Sequence, residues 1–375
     1  MIIYISIIIF GFLNHGTKRS VFCIEFDDNN ILIDEDKICY SVRKVRMITR
    51  MIKKDSSPCV SIVTIIKKGG VYTFLDSLKN QCFEQPFEII IIEGGNRSQA
   101  RNLGITQSRA PLISFIDADC EAPSNWLKSL VASLSDNQNV AGVGGVSYCP
   151  ESLSFLNNAI NGVFSTYLGS LNSPSLISIP SNQRQYVNAI SGHNCIYRRD
   201  ALREVEGFNE KYELNEDTDI CARLREKGYK LFLDSNILVN HVRRNTIRDF
   251  ASQFFWYGVG RFRSMLTSRR NFDEKILGLF FTALLLVLLI PILPILFFLA
   301  LLSYFLIVVV SSLLGAKKVG LFTLSIIMIP LFIIEHVSYL IGLLVGLFRG
   351  SWKEWKRNET MKIERYLVSN EGRSV

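Results

Sequence analysis

No Cys-x-x-Cys pair occurs in these 375 residues, and only four histidines are present. Without paired ligand spacing the chain is neither a zinc ribbon nor a thioredoxin-type dithiol. Its eight cysteines, at 23, 39, 59, 82, 120, 149, 195 and 221, are scattered and read as small, buried free thiols. Met1–Leu13 is apolar but has no basic start, and Asn14–Ser20 lacks a small-residue cleavage context, which argues against a signal peptide. No aromatic–basic interleaving of a kind that favours DNA or RNA is present, so nucleic acid is not the expected partner of the +8 net charge. The largest absence is charge itself: none occurs between Ile276 and Val310.

That uncharged block, and the apolar Val319–Phe348 interrupted by Glu335 and His336, are each long enough to cross a bilayer. The expectation is a multi-pass protein of the cell membrane. The basic residues flank these blocks: Arg261, Arg263, Arg269, Arg270 and Lys275 before, Arg349, Lys353, Lys356 and Arg357 after. Such flanks suit anionic lipid and place the domain before residue 275 in the cytoplasm. As one helix Ile276–Val310 would be about 52 Å long, against a hydrocarbon core of about 30 Å. A hairpin or kink near Pro291 and Pro294 follows. Three spans would put the C-terminal tail outside, whereas its basic character argues for the inside. Three spans, and two spans with interfacial helices, both remain open. The chain is divided into an N-terminal extension (1–57), which a start at Met47 or Met51 would remove and whose first residues could form a surface anchor; a catalytic domain (58–245); an amphipathic interfacial segment (246–275); a membrane region (276–348); and a basic tail (349–375).

Within 58–245, apolar runs alternate with helical periods. Strands are expected at Val60–Ile66, Phe87–Ile92, Pro111–Ile116, Val140–Tyr148, Tyr186–Tyr197, Tyr229–Asp234 and Ile237–Asn240. Helices are expected at Val71–Cys82, Ser98–Ser108, Ser124–Leu134, Asp200–Val205 and Asp217–Lys227. This is an α/β pattern, a mostly parallel, Rossmann-like sheet with helices on both faces. Ligands of such sheets bind beyond the carboxyl ends of the strands. Glu93 ends one apolar strand, and Asp117-Ala118-Asp119 ends another. Carboxylates are too costly to bury unpaired, so they gather at this rim.

The two acids of Asp117-Ala118-Asp119 can face one side of a turn and hold a hard cation, Mg²⁺ or Mn²⁺, together with substrate phosphates. Arg97 and Arg101 share one helix face behind Glu93, placed to pair with phosphate. Glu216-Asp217-Thr218-Asp219 opens a helix, where acids complement the dipole; one of them, Glu216 or Asp217, is also a candidate base for an acceptor hydroxyl. His241 is a candidate further metal ligand. Gly192, His193 and Asn194 stand mid-strand as candidate acceptor contacts. Trp256 joins them from an aromatic and basic segment, Thr246–Ser264, read either as a helix packed under the domain or as an interfacial helix.

Taken together, "ARNLGI", "FIDADC", "SGHNCIYRRDAL", "EGFNEKY" and "NEDTDICARLREKGYKL" followed by a histidine resemble the family 2 glycosyltransferases of GT-A fold over about 60–260. The apolar blocks after the domain resemble the subset acting on lipid-linked acceptors. The resemblance implies a UDP- or GDP-sugar donor and a polyprenyl- or dolichyl-linked acceptor in glycan or glycoprotein synthesis. It implies Glu93 at the nucleotide base, Arg101 by the nucleotide, Asp117 at the nucleoside, Asp119 on the cation, Asp217 as base, and His241 completing the metal site. An inverting single displacement follows. Glu93 and the "RN" element are only eight residues apart, closer than the family's usual spacing, and Arg97 would compensate. Gln253–Tyr257 lacks the arginine of the processive QxxRW signature, so transfer of one sugar is expected. A degenerate membrane scaffold and a membrane-anchored Mg²⁺-dependent phosphatase using Asp117 are the alternative readings.

Overall fold

The computed structural model describes residues 5–9, 22–27, 30–34, 57–66, 74–135, 139–148, 154–170, 184–212, 214–241, 246–288, 290–348 and 361–368. They form two compact units, Met1–Asp55 and Ser56–Val375. In the first, β1 (Ile5–Ile9), β2 (Phe22–Asp27) and β3 (Asn30–Asp34) make an antiparallel sheet. Most of the expected extension, including Met47 and Met51, lies outside the described residues; of the expected surface anchor only Ile5–Ile9 is described, as a strand.

The second unit runs β4 (Val60–Ile66), α1 (Leu75–Lys79), β5 (Phe87–Glu93), α2 (Arg97–Gln107), β6 (Leu112–Ile116), β7 (Cys120–Glu121), α3 (Trp126–Ser135), β8 (Val140–Tyr148), α4 (Phe155–Phe164) and α5 (Tyr167–Ser170). It continues with β9 (Arg184–Tyr186), β10 (Asn194–Arg198), α6 (Arg199–Glu204), α7 (Glu216–Glu226), β11 (Lys230–His241), α8 (Ile247–Thr267), α9 (Glu274–Leu288), α10 (Pro294–Val319), α11 (Leu324–Phe348) and β12 (Lys362–Val368). The sheet order is β12-β5-β4-β6-β10-β8-β11-β7, with β9 also on β11. The Ile/Val runs of β4 and β5 form the buried centre, because helices cover both faces. Leu78, Trp126, Leu127 and Leu130 pack on one side, and Ala100, Leu202, Ile220 and Leu224 on the other.

The α/β class is as the sequence implies, and the layout is that of a GT-A fold, but the sheet is mixed rather than mostly parallel. β5, β4 and β6 are parallel, as are β8 and β11, whereas β10 is antiparallel to both neighbours. The expected strand Tyr186–Tyr197 is split into β9 and β10. Between them the backbone bonds elsewhere: Val187 N–H to Leu231 O, Ile190 N–H to the Cys221 thiol and Gly192 N–H to the Asp217 carboxylate. A segment whose polar groups are satisfied by such partners has no need of a ladder. This places Gly192 and His193 in a loop at the sheet's rim, not mid-strand. Conversely, the two short strands expected over 229–240 are one strand, β11, with a register irregularity between Leu233 and Leu238.

Two helices, α10 and α11, are long and apolar enough to cross a membrane. Ile295, Phe298, Leu299 and Ile326 are exposed on them. α9, at about 1.5 Å per residue, reaches only about 22 Å and is shorter than a bilayer core. α8 runs against α11 with backbones nearly touching: a Cβ on Gly258 would lie 2.2 Å from Tyr339 O, and one on Gly342 2.1 Å from Phe255 O. Phe250 and Phe254 of α8 are buried among α4, α10 and α11. On its other side Gly260 packs on Leu214 and Asn215, just ahead of α7. Part of the expected basic tail returns to the sheet: β12 pairs antiparallel with β5 along its whole length, closing an edge that would otherwise leave its backbone unpaired. β5 and β12 thus share one sheet, so any crossings between them are even in number.

Candidate active site

β4, β5 and β6 run parallel, so Glu93 and Asp117 emerge at the same end of the sheet. After β5 the chain turns through Gly94 (φ 90°) and Gly95 (φ 74°), conformations that disfavour a Cβ. Asn96 then caps α2, its side chain accepting from Gln99 N–H at 2.8 Å. Arg97 is exposed in the first turn, and Arg101, one turn on, is buried.

Arg101 is the hub. One guanidinium nitrogen pairs with Glu216. Another lies 3.8 Å from Asp117 Oδ1 and donates to Gly192 O at 3.4 Å. A Cβ at Gly192 would come within 2.6 Å of that nitrogen, so the loop needs glycine to approach. Burial works against the charge, but Glu216, Asp117 and Asp217 together hold Arg101 in its cationic form. Glu216, 4% exposed, is spent on this pair. Its neighbour Asp217 is half-buried. Asn215 adopts a left-handed conformation (φ 64°) that turns the chain into α7. The Asp217 carboxylate then accepts from Thr218 N–H at 2.8 Å and Gly192 N–H at 3.4 Å. Burial raises its pKa above the ordinary aspartate range, and the Glu216 charge acts the same way, against Arg101. Burial raises Asp117 as well, with Arg101 and Arg97 opposing.

Asp119 projects from the turn before β7, and β7 pairs with the end of β11 so that Cys120 stands opposite His241. His241 Nε2 is 3.3 Å from Asp119 Oδ2. Ligand atoms of Asp119, Cys120 and His241 lie within 4.8 Å of one another. His241 Nδ1 is buried with no hydrogen-bond partner among the described residues. The Asp119 carboxylate and the His241 imidazole fit a divalent cation whose remaining ligands come from phosphate; the Cys120 thiol beside them is a soft ligand that such hard cations do not favour. In the sequence Cys120 reads only as a buried thiol; its place directly after Asp119 is the signal that sets it beside the acid. His193 stacks on His241 at 5.7 Å between ring centroids, and its Nδ1 meets Ser191 Oγ.

Two expected acceptor contacts are placed elsewhere. Asn194 is 0% exposed; its side chain accepts from Trp126 Nε1 at 2.8 Å and donates to Val146 O and Ile237 O. With donors and acceptor spent on the core, it has nothing left for a ligand. Trp256 lies exposed on α8, its ring edge-on to Phe255; no contact among the described residues ties it to the acids. Asp219, third in the acidic run, is structural: it accepts from Arg223 at 2.8 Å and from Asn271 at 3.2 Å, fastening the turn after α8.

Residues 112–344, more than half of the chain, match the family described as Glycosyl transferase family group 2. The match takes in Asp117, Asp119, Asp217 and His241 and begins after Glu93, Arg97 and Arg101. A pre-mycofactocin glycosyltransferase of Mycobacterium tuberculosis is 30% identical over 167 residues, covering 42% of this chain and 33% of that protein. The chain thus spans about a third of that relative's length. A glucosyl-dolichyl phosphate glucuronosyltransferase of Haloferax volcanii is 20% identical over 227 residues, covering 48% of this chain and 66% of that one. A solved mannosyltransferase from Pyrobaculum calidifontis, in complex with GDP-Man and Mn²⁺, aligns with a TM-score of 0.45 at 13% identity, over 76% of this chain and 88% of that chain. The family match does not support the phosphatase reading: with an acidic rim at the strand ends and its motifs in this order, the chain belongs to glycosyl transferase family group 2.

Proposed function

We propose that the chain transfers one sugar from a UDP- or GDP-sugar to a membrane-associated, polyprenyl- or dolichyl-linked acceptor, inverting the anomeric configuration, in cell-surface glycan or glycoprotein synthesis. The observation that carries this is the state of Asp217. It is half-buried, raised in pKa, held by two backbone N–H groups, and one residue from the Glu216–Arg101 pair that borders Asp117. A carboxylate so tuned accepts a proton from a hydroxyl better than an ordinary aspartate does. Asp217 takes the acceptor proton; Arg101, Arg97 and Asp117 orient the nucleotide; Glu93 meets its base. Asp119 and His241, with Cys120 beside them, would hold Mg²⁺ or Mn²⁺, which when bound supplies charge for the leaving diphosphate.

For a membrane acceptor, the support lies in α10 and α11, two apolar helices with exposed side chains, and in α8, which touches both α11 and the residues before Asp217. The Haloferax relative is named for a dolichyl phosphate substrate. An even number of crossings, α10 and α11, fits the pairing of β12 with β5 and keeps the basic segments and the catalytic domain together on the cytoplasmic face, with α8 as the interfacial segment.

A panel of radiolabelled UDP- and GDP-sugars offered to membranes containing the full chain tests this. Label should enter the lipid fraction with wild type and fail to enter with Asp119→Asn or Asp217→Asn. Equal labelling by either variant and wild type overturns the role given to that residue; no labelled lipid from any donor overturns the acceptor class.

A further inference from the structure

We propose that Asn271, in the 3₁₀ turn Arg269–Asn271 between α8 and α9, is a positioning residue for Asp217, acting through Asp219 in the same first turn of α7. The inference rests on the reading above that Asp217 takes the acceptor proton.

The first turn of α7 carries Glu216, Asp217 and Asp219, yet its own N-cap does not hold it: Asn215 makes no side-chain capping bond. A helix start without that bond depends on partners from elsewhere in the fold. Arg101 supplies one, on Glu216. Asn271, 4% exposed, supplies another. Its Nδ2 donates to Asp219 Oδ1 at 3.2 Å and to the Tyr212 hydroxyl at 3.3 Å. The other oxygen of Asp219 accepts from Arg223 at 2.8 Å, so the near oxygen needs a donor, and this fixes which way the amide faces. Asn271 Oδ1 is buried with no hydrogen-bond partner among the described residues. An idle buried acceptor costs stability; what the amide contributes is its two donors, which join two segments. Tyr212, 0% exposed, is tied in turn to α2, since its carbonyl accepts from Ser98 Oγ at 2.8 Å. Asn271 thus sets the first turn of α7 relative to the helix that bears Arg97 and Arg101. That is the spacing between the base and the nucleotide. The turn holding Asn271 is seated on the helices after the catalytic domain. Phe262 of α8 and Phe280 of α9 meet at 6.0 Å between ring centroids and pack with Met265 and with Leu343 of α11. Asp217 therefore takes its position from these helices as well as from the sheet.

The experiment measures transfer kinetics in membranes containing the full chain, with whichever UDP- or GDP-sugar wild type turns over, and UDP and GDP binding by calorimetry in detergent with Mn²⁺. Asn271→Ala should lower kcat about tenfold, the scale of a sub-ångström misplacement of a catalytic group, and leave donor KM and nucleotide affinity at wild-type values. Tyr212→Phe keeps the ring packed and the Asn271–Asp219 bond in place, and should lower kcat by less, about twofold. Arg270→Ala, in the same turn but paired with Glu226 at the far end of α7 at 3.4 Å, should turn over as wild type does. Unchanged kcat in Asn271→Ala overturns the proposal. A matching loss of nucleotide affinity overturns it too, because Asn271 would then hold the whole domain together. Should Asn271→Ala not fold, Tyr212→Phe decides, and an unchanged kcat there overturns the proposal. An equal fall in Arg270→Ala would assign the effect to the turn at large and remove Asn271 from this role. If wild type turns over no UDP- or GDP-sugar, the reading of Asp217 as base fails, and this inference with it.

Discussion

Two buried carboxylates, Glu88 in β5 and Glu216 at the start of α7, bind arginine, yet their surroundings differ. Glu88, mid-strand in β5, is saturated: Ser61 Oγ and Arg109 N–H donate to one oxygen at 2.7 and 2.8 Å, and Arg109 and Arg365 flank the other at 3.1 and 3.5 Å. Its arginines keep substantial exposure, with side chains 50% and 33% accessible. Glu216 meets an arginine that is itself only 5% accessible, and that arginine also serves Asp117 and the loop carbonyl of Gly192. The first arrangement closes on itself and holds a strand in place. The second leaves a neighbouring acid, Asp217, raised in pKa and open to a proton. What separates a structural ion pair from a functional one here is which partner is buried and whether another carboxylate lies within its field.

That comparison can be broken most severely at Asp217. Asp217→Asn keeps the shape and removes the base, so turnover should fall on the order of 10²–10⁴-fold while nucleotide binding, read by calorimetry, persists; loss of binding would assign Asp217 to structure. Next, Glu216→Ala strands a buried guanidinium and should destabilise the folded chain by about 3–5 kcal/mol, visible as a lower melting temperature in detergent. Glu88→Ala should cost less, about 1–3 kcal/mol, because Arg109 and Arg365 can turn to water. Equal costs for the two would refute the distinction drawn from arginine burial. The smallest effect is in pH. The folded pKa of Asp217 is raised, so its contribution to stability is greatest below the ordinary aspartate value of about 3.9 and is lost as pH rises through the raised folded value. Activity runs the other way, since the base must be ionised, and falls as pH drops through that value. A rate profile whose acid limb survives in the Asp217→Asn residual activity would remove Asp217 as its source.

The elements with strong local signals were legible. β4, β5 and β6 are continuous apolar runs, and α2 and α7 start within a residue of where the helical period begins. The rim acids followed from the cost of burying charge. Illegible were features whose partners lie far along the chain. Residues 187–193 read as strand because their apolar side chains alternate; only Asp217, Cys221 and Leu231, distant in sequence, take their backbone bonds. Asn194 reads as a ligand contact in the sequence, but Trp126, Val146 and Ile237 take its hydrogen bonds. β12 sat in a basic tail with no local mark of the edge it completes.

The sequence by itself determined the alternation of strand and helix, the apolar helices after the domain, and the presence of acids at strand ends, because these depend on side-chain periodicity and on solvation of charge. The tertiary structure alone decided which acid is locked by Arg101, that His241 meets Asp119 and Cys120, and that β12 returns to β5. Pairing between residues distant in sequence depends on where the fold brings them, and no local pattern of residues encodes that distance.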